Sequence, residues 1–159
     1  MKVVQGDLVV RGERYAIVVS RFNELVCGKL VEGAKDVLIR HGGKVNDIDV
    51  YWVPGAWELP LTVKELCLTG RYDAVVALGA VIRGDTPHFE YVSAEMSKGL
   101  ASVGLEARVP VAFGVLTTDN LEQALLRAGS KAGNKGGDAA LAAIEMVSLM
   151  RQIRGEKNS

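Results

Sequence analysis

The chain has 159 residues, with 19 basic and 19 acidic side chains and no net formal charge. A chain of this length suits one domain, predicted over 1–159, which buries roughly 70% of its unfolded surface without disulfides or metals. The balanced charge argues against a nucleic-acid or anionic-membrane surface, and no apolar run is long enough to span a bilayer.

In chain order, short runs of β-branched and other apolar residues predict strands, and longer amphipathic segments predict helices. The strands are predicted at 15–20, 48–53, 73–79 and 110–116, and the run 2–11 is a candidate for one more. The helices are predicted at 24–41, 58–69, 87–107, 120–128 and 135–154, with Pro87 opening the third and Asn120 capping the fourth.

The predicted strands are apolar along almost their whole length, as in parallel sheets that helices cover on both faces. The alternation therefore predicts an α/β fold, a three-layer αβα sandwich with a central four-stranded parallel sheet, which is flavodoxin-like.

The start of the chain lacks the apolar core and cleavage site of a signal peptide. Cys27 and Cys67 lie far apart, and no Cys/His spacing suggests a metal or a redox pair. We interpret both cysteines as small core residues in a reducing compartment, and predict a cytoplasmic protein without a metal site.

Polar and glycine-containing stretches follow every predicted strand: "SRFNE" (20–24), "PGAWELP" (54–60), "GAVIRGDTPHFEYV" (79–92) and "LTTDN" (116–120). In open α/β sheets, ligands bind at the carboxyl ends of the strands. These stretches therefore predict a binding pocket at that edge of the sheet.

The two histidines differ in position. His88 follows Pro87 in the first turn of a helix, where the helix dipole disfavours the imidazolium form, so its ring either relays a proton near pH 7 or only donates and accepts hydrogen bonds. His41 precedes two glycines at a helix C-terminus, which favours a cation, and we interpret it as structural.

Two stretches suit an anion. The backbone amides of "GDTPH" and the Thr86 hydroxyl lie at a helix N-terminus, where Thr86 would serve equally as a phosphate ligand or as an N-cap. Arg127 ends a helix and is followed by "GSKAGNKGGD", which contains Lys131 and Lys135. Because three cations lie near one glycine-rich turn, an anionic partner is favoured over simple compensation of the helix dipole. This second stretch is not a Walker A loop, because Asn134 stands where that motif requires a glycine.

Several aromatic and acidic residues have two open interpretations. Phe22 and Trp57 fall in strand-end loops, where they are suited to stacking on a planar heterocycle. Phe113, inside a predicted strand, is more easily explained as a core residue. Glu58 either starts a helix or binds hydroxyl groups. Asp138 lies in the first turn of the last helix, where a favourable interaction with the helix dipole is enough to explain a carboxylate.

Composition and position also exclude some chemistry. No lysine lies in or directly after a predicted strand, which argues against a Schiff-base mechanism. The rival functions are a flavodoxin-like module that binds a flavin or a nucleotide, and a shell subunit without chemistry. His88 argues against the first rival, and the complete set of polar strand-end residues argues against the second.

Five segments in this order resemble the lumazine synthase family: "SRFNE", "PGAWELP", "GAVIRGDTPHFEYV", "FGVLTTDNLEQALLRAG" and "GSKAGNKGGDAALAAIEM". The family condenses 5-amino-6-(D-ribitylamino)uracil with 3,4-dihydroxy-2-butanone 4-phosphate in riboflavin biosynthesis. The products are 6,7-dimethyl-8-ribityllumazine, phosphate and water. The resemblance implies a transferase that binds two small-molecule substrates and uses no metal or organic cofactor.

The resemblance also implies roles for individual residues on the uracil side of the site. Phe22 would stack on the pyrimidine and Glu58 would hold the ribityl chain. The remaining residues would line the ring: Ala56, Trp57, Ala80, Val81 and Ile82.

On the phosphate side, the resemblance implies that Arg127 binds the phosphate, with Asp85 and Thr86 around it, while His88 moves protons. Position 85 varies in the family. Asp138 stands where many members carry Glu, and it would orient His88 or a lysine.

Finally, the resemblance implies an assembly. Phe113 would reach into the site of a neighbouring subunit, and Lys135 would help to hold the pyrimidine there. Family members form pentamers, many of which close into icosahedral shells of sixty subunits, and the short turn "GSKAGNKGG" accompanies the shell form. The run at 1–11 itself predicts a strand that adds to a neighbour's sheet edge, and 155–159 is predicted as a flexible tail. Riboflavin synthase would be a further partner.

Overall fold

The computed structural model describes residues 1–131 and 133–156. Its centre is a sheet of four parallel strands in the order β2-β1-β3-β4. The strands are β1 (Tyr15–Ser20), β2 (Ile48–Val53), β3 (Ala74–Ile82) and β4 (Val111–Thr118). The predicted four-stranded parallel sheet is therefore confirmed. β3 runs three residues further than its apolar pattern predicted, because residues 79–82 stay paired with residues 115–118 of β4.

Five helices cover the sheet: α1 (Glu24–Arg40), α2 (Leu59–Leu68), α3 (His88–Ala107), α4 (Leu121–Arg127) and α5 (Lys135–Arg154). Each lies within one residue of its predicted bounds at both ends. Asn120 caps α4 as predicted, because its side chain accepts a hydrogen bond from the Gln123 amide. A small antiparallel pair, β5 (Ala128–Ser130) with β6 (Gly133–Asn134), was not predicted.

The two central strands, β1 and β3, bury side chains on both faces, as their apolar pattern predicts. In β1, Ile17 and Val19 pack under α1 and α5, while Ala16 and Val18 pack under α2 and α3. This alternation of successive side chains between two cores follows from the period of two in a strand. The three-layer sandwich is therefore confirmed.

α1 and α5 approach each other closely because small residues line their contact. A methyl group on Gly136 would overlap the backbone carbonyl of Leu30, and one on Gly33 would overlap the side chain of Asn134. Asn134 caps α5 by accepting from the Gly137 amide at 3.1 Å, and its side-chain nitrogen donates to the carbonyls of Ala128 and Lys29. Asn134 therefore joins α5, the β5–β6 pair and α1 through its side chain.

Residues 1–11 form no strand within the chain. They lie along α5, where the Asp7 amide donates to Ser148 Oγ at 3.1 Å and the Gln152 side chain donates to the Gln5 carbonyl at 2.7 Å. A strand requires a free sheet edge beside it, and α5 offers none. The addition of this segment to a neighbour's sheet stays a prediction.

At the other end of the chain, α5 ends at Gly155, which has a φ of 75°. Of the tail predicted at 155–159, residues 157–159 lie outside the described residues. No helix within the described ranges is long and apolar enough to cross a bilayer.

Candidate active site

The carboxyl ends of β1, β2 and β3 lie side by side and open into a cleft. The Arg21 amide donates to the Val53 carbonyl at 2.7 Å, and the Phe22 amide donates to the Pro54 carbonyl at 3.2 Å. These bonds continue the β1–β2 pairing beyond the last residues of both strands. The cleft has a volume of about 710 Å³, and we call it the strand-end cleft. Its position between β1 and β3, where the strand order reverses, is the usual ligand site of such sheets.

The strand-end cleft brings together nine residues that the sequence predicted for the site. They come from the loops after β1 and β2, the end of β3 and the first turn of α3: Phe22, Ala56, Trp57, Glu58, Ala80, Val81, Ile82, Thr86 and His88. Asp85 is exposed in the same loop as Thr86 but does not line the cleft.

Sequence reasoning missed part of the wall. Phe89, Tyr91 and Val92 of α3 also line the strand-end cleft. The run "PHFEYV" carried the signal, because its aromatic residues fall in the first turns of the helix that starts with His88. When the N-terminus of a helix lies at a site, side chains of its first two turns also lie there, because each turn rises only about 5.4 Å.

The cleft has an apolar, aromatic rim that is open to solvent. The Phe22 side chain is 72% exposed and Trp57 is 60% exposed. Two large exposed aromatic side chains that line one cleft form an apolar patch of the kind that marks a ligand-binding groove. Exposed aromatic rings at a strand-end cleft suit stacking on a planar heterocycle.

The loop that carries Phe22 is held in a fixed position. Asn23 has left-handed backbone angles, with φ 63° and ψ 49°, and its side-chain nitrogen donates to the Ala80 carbonyl at 3.1 Å. The Cys27 thiol donates to the Phe22 carbonyl at 3.4 Å. Burial raises the pKa of the Cys27 thiol, so this group is protonated at neutral pH and supports the loop rather than acting as a nucleophile.

The loop before α3 leaves its polar groups free for a ligand. α3 begins at His88 with Pro87 in the N-cap position, and no side chain caps it. The interpretation of Thr86 as an N-cap is therefore wrong, and its residue lines the cleft instead. The Thr86 hydroxyl and the uncapped amides of the first turn of α3 form a suitable environment for an anion.

A second cavity lies at the outer edge of the sheet, along β4. It has a volume of about 380 Å³, and we call it the edge cavity. Four further predicted site residues line it: Phe113, Arg127, Lys135 and Asp138. Phe113 is 41% exposed because β4 is an edge strand, so the interpretation of Phe113 as a core residue is wrong.

The edge cavity contains two cations, Arg127 and Lys135, and one carboxylate, Asp138, which forms no ion pair with either cation within the described residues. Arg127 donates to the Gln123 carbonyl at 3.4 Å, and within the described residues neither Arg127 nor Lys135 has a carboxylate at ion-pair distance. Unpaired cations beside an aromatic ring suit an anionic ligand.

The two cavities are chemically complementary. Among the described residues, no lysine or arginine lines the strand-end cleft, and no residue lines both cavities. The cleft therefore has the apolar wall, the carboxylate of Glu58 and the imidazole of His88. The edge cavity has the cations that an anionic substrate requires.

Comparisons with known proteins agree over nearly the whole chain. The family model described as 6,7-dimethyl-8-ribityllumazine synthase matches residues 12–151. A protein of that name from Syntrophus aciditrophicus (strain SB) is 60% identical over 151 residues, 95% of this chain and 98% of the relative. One from Prosthecochloris aestuarii (strain DSM 271 / SK 413) is 58% identical over 153 residues, 96% of this chain and 99% of the relative. One from Clostridium kluyveri (strain NBRC 12016) is 57% identical with the same coverage.

Proposed function

The chain belongs to the 6,7-dimethyl-8-ribityllumazine synthase family, and we propose that its two cavities are the two halves of one active site, joined between neighbouring copies. The protein is a transferase of riboflavin biosynthesis. It condenses 5-amino-6-(D-ribitylamino)uracil with 3,4-dihydroxy-2-butanone 4-phosphate and forms 6,7-dimethyl-8-ribityllumazine. One observation supports a shared site: Arg127 and Lys135 line the edge cavity, whereas no lysine or arginine among the described residues lines the strand-end cleft.

In this proposal the strand-end cleft receives the uracil. Phe22 stacks on the pyrimidine, and Glu58 accepts hydrogen bonds from the ribityl hydroxyls. The residues that form the wall around the ring are Ala56, Trp57, Ala80, Val81 and Ile82. Lys135 and Phe113 of a neighbouring copy close the ring site from the other side.

The phosphate substrate binds at the junction of the two halves. Thr86 and the free amides at the start of α3 contribute hydrogen bonds from one copy, and Arg127 of a neighbour contributes the charge. Asp85 lies at the mouth of this site. Asp138 lines the edge cavity with Lys135, and in the assembled site it orients Lys135 or His88 of the adjoining copy.

The chemistry needs orientation more than a nucleophile. The uracil amine adds to the ketone of the second substrate, and an imine forms between the two substrates with loss of water. Elimination then expels phosphate, and the ribityl-substituted amine closes the ring onto the remaining carbonyl with loss of a second water, which gives the lumazine. No lysine of the enzyme takes part in this bond formation, and His88 transfers the protons that the steps require.

The experiment that tests the activity uses both substrates together. Purified protein is mixed with the ribitylaminouracil and the butanone phosphate, and the lumazine chromophore and free phosphate are measured together. We expect both products to appear in equal amounts. A protein that only binds flavin or nucleotide would give neither.

The assembly follows from the same division of residues. We propose a pentamer as the smallest active unit, closed into an icosahedral shell of sixty copies, with residues 1–11 pairing with a neighbour's sheet. Riboflavin synthase is the further partner that we propose for such a shell. The exposed apolar side chains of residues 1–11, among them Val3, Leu8 and Val9, support a role in contact with another chain.

A further inference from the structure

An arginine outside the proposed ligand contacts connects the loop with Thr86 and His88 to the end of β4. Arg83 follows β3 directly, and its amide donates to the Thr118 carbonyl at 2.8 Å. Its side chain then bonds in two directions. Arg83 Nε donates to Asp119 Oδ1 at 3.0 Å, and Arg83 Nη1 donates to Glu90 Oε1.

The Arg83 guanidinium also lies on the face of an aromatic residue of the cleft. Its central carbon is 4.5 Å from the centre of the Phe89 ring, within the range of a cation–π contact. Phe89 and Glu90 belong to the first turn of α3, immediately after His88. One side chain therefore contacts α3 through an ion pair and a ring, and contacts the β4–α4 loop through Asp119.

The loop between Arg83 and α3 has little other support. Among the described residues, positions 84–87 form one hydrogen bond, from the Glu90 amide to the Pro87 carbonyl. α3 has no side-chain cap at this end. The position of the loop therefore depends on its two ends, and the Arg83 side chain joins one end to the other.

The charges of this cluster argue against Arg83 as a second phosphate ligand. Two carboxylates already surround its guanidinium, so the cluster has a net negative charge. The hydrogen bond from Arg83 keeps the pKa of the Glu90 carboxyl below its usual range, so that Glu90 stays ionised at neutral pH. Isolated surface ion pairs stabilise little, but a network of several charges with a fixed planar donor is an exception.

We propose that Arg83 is a positioning residue, which holds the 84–88 segment in register with the end of β4 through Asp119, Glu90 and the Phe89 ring. The proposal rests on the assignment of Thr86 to the phosphate substrate and of His88 to proton transfer. Neither residue contacts Arg83 directly. Arg83 acts through the start of α3, so its loss should disturb the phosphate substrate and leave the uracil contacts intact.

The first test is a comparison of Michaelis constants for the two substrates in the assembled enzyme. For Arg83→Ala we expect the KM of the butanone phosphate to rise roughly tenfold or more, while the KM of the uracil changes less than about twofold. The matched control is Arg40→Ala, which removes an arginine bonded to Asp36 at 2.9 and 3.0 Å on the exposed face of α1. We expect both Michaelis constants of the control to equal those of the unaltered protein.

The second test separates positioning from simple attraction of an anion. The double variant Glu90→Ala with Asp119→Ala removes both acceptors but keeps the positive charge of Arg83. Positioning predicts that the KM of the butanone phosphate rises, as in Arg83→Ala. In Arg83→Lys the KM of the butanone phosphate should lie between those of Arg83→Ala and the unaltered protein, because an ammonium group cannot bond both carboxylates and also lie flat on the ring.

A lower KM in the double variant, together with full recovery in Arg83→Lys, would overturn the inference, since charge alone would then explain the effect. Equal changes in the KM of both substrates would overturn it as well. The unaltered protein is assayed in the same series. If it formed no lumazine, the proposed function would fail, whereas normal turnover with unaffected variants would contradict only the role of Arg83.

Discussion

Individual side chains carry the clearest signs of function in this chain. Phe22, Trp57 and Phe113 are large aromatic residues that lie at the surface, each at or near the carboxyl end of a strand or on an edge strand. Leaving such surface in water is unfavourable by about 25 cal/mol for each Å² of apolar area. Their exposure in a single chain is therefore consistent with burial by a substrate or by another copy.

Arg127 is the residue whose loss should damage activity most. Arg127→Ala should lower kcat/KM by a factor on the order of 10²–10³, because a preorganised charged contact with the phosphate is removed. Steady-state kinetics with both substrates measure this effect, and circular dichroism checks the fold. Arg40→Ala serves as the control for the loss of an exposed arginine. Near-normal turnover of the phosphorylated substrate by Arg127→Ala would show that the phosphate assignment is wrong.

His88 should matter less than Arg127. His88→Ala should lower kcat by roughly 10²-fold or less, at the low end of what one acid–base group contributes, because the amine and the ketone react once they are held together. Phosphate release under saturating substrates measures kcat, and titration with each substrate measures binding. If binding is normal and no turnover is detected, proton transfer contributes more than we propose.

At the scale of secondary-structure elements, close packing of α1 on α5 sets the position of the edge cavity. α5 begins at Lys135, and Asp138 lies one turn later, so both follow the placement of this helix. The helix can approach α1 only because Gly136 faces the Leu30 carbonyl. Gly136 and Gly137 therefore serve helix packing, and Lys135 beside them is a residue that we propose for ligand binding.

Two glycine substitutions with opposite effects test this packing. Gly136→Ala should lower the free energy of unfolding by about 1–3 kcal/mol, because the added methyl group overlaps the Leu30 carbonyl. Gly28→Ala, in the interior of α1 with open space around its added methyl group, should raise it by about 0.5–1 kcal/mol.

Chemical denaturation measures the free energy of unfolding of both glycine variants and of the unaltered protein. Gly28→Ala is the matched control, since it makes the same chemical change in a helix that contacts α5. If Gly136→Ala were as stable as Gly28→Ala, the close approach of the two helices would not depend on the glycine.

At the scale of the whole molecule, the division of the site between two cavities predicts complementation. A variant with a defective strand-end cleft, Glu58→Ala with His88→Ala, and a variant with a defective edge cavity, Arg127→Ala, should both be weakly active alone. Joint refolding of equal amounts should restore activity at about one site in four, because each restored site takes its cleft from one variant and its edge cavity from the other.

The control for complementation is the same two variants mixed after separate assembly, which should stay weakly active. No gain after joint refolding, although mixed particles are present by native mass spectrometry, would contradict a site shared between chains.

The size of the assembly is a separate prediction. Light scattering and native mass spectrometry should detect a particle of sixty copies. Under mildly dissociating conditions, the same measurements should detect a pentamer. The prediction rests on the proposed sharing of the site between copies and on exposed apolar side chains such as Val3, Leu8 and Phe113. A discrete pentamer without larger particles would contradict the shell alone, whereas an active monomer would contradict the shared site as well.

The sequence by itself determined the main strands and helices and most of the candidate site residues that line the two cavities. Apolar strands with β-branched residues, glycine stops and the Asn120 cap are local signals, and local signals predicted all four strands of the sheet and the five helices. The strand-end rule then placed Phe22, Glu58 and His88 together, because the carboxyl ends of parallel strands meet at one edge of the sheet.

The tertiary structure alone decided how these residues are grouped. Phe113 reads as a core residue within its strand, and only the strand order shows that β4 is an edge, where this side chain is exposed. The contact of Arg83 with Glu90 and Asp119 is equally invisible in the sequence, since Asp119 lies 36 positions away. Long-range contacts of this kind depend on how the elements pack, and no local pattern records which strand edge or which loop end comes to lie beside another.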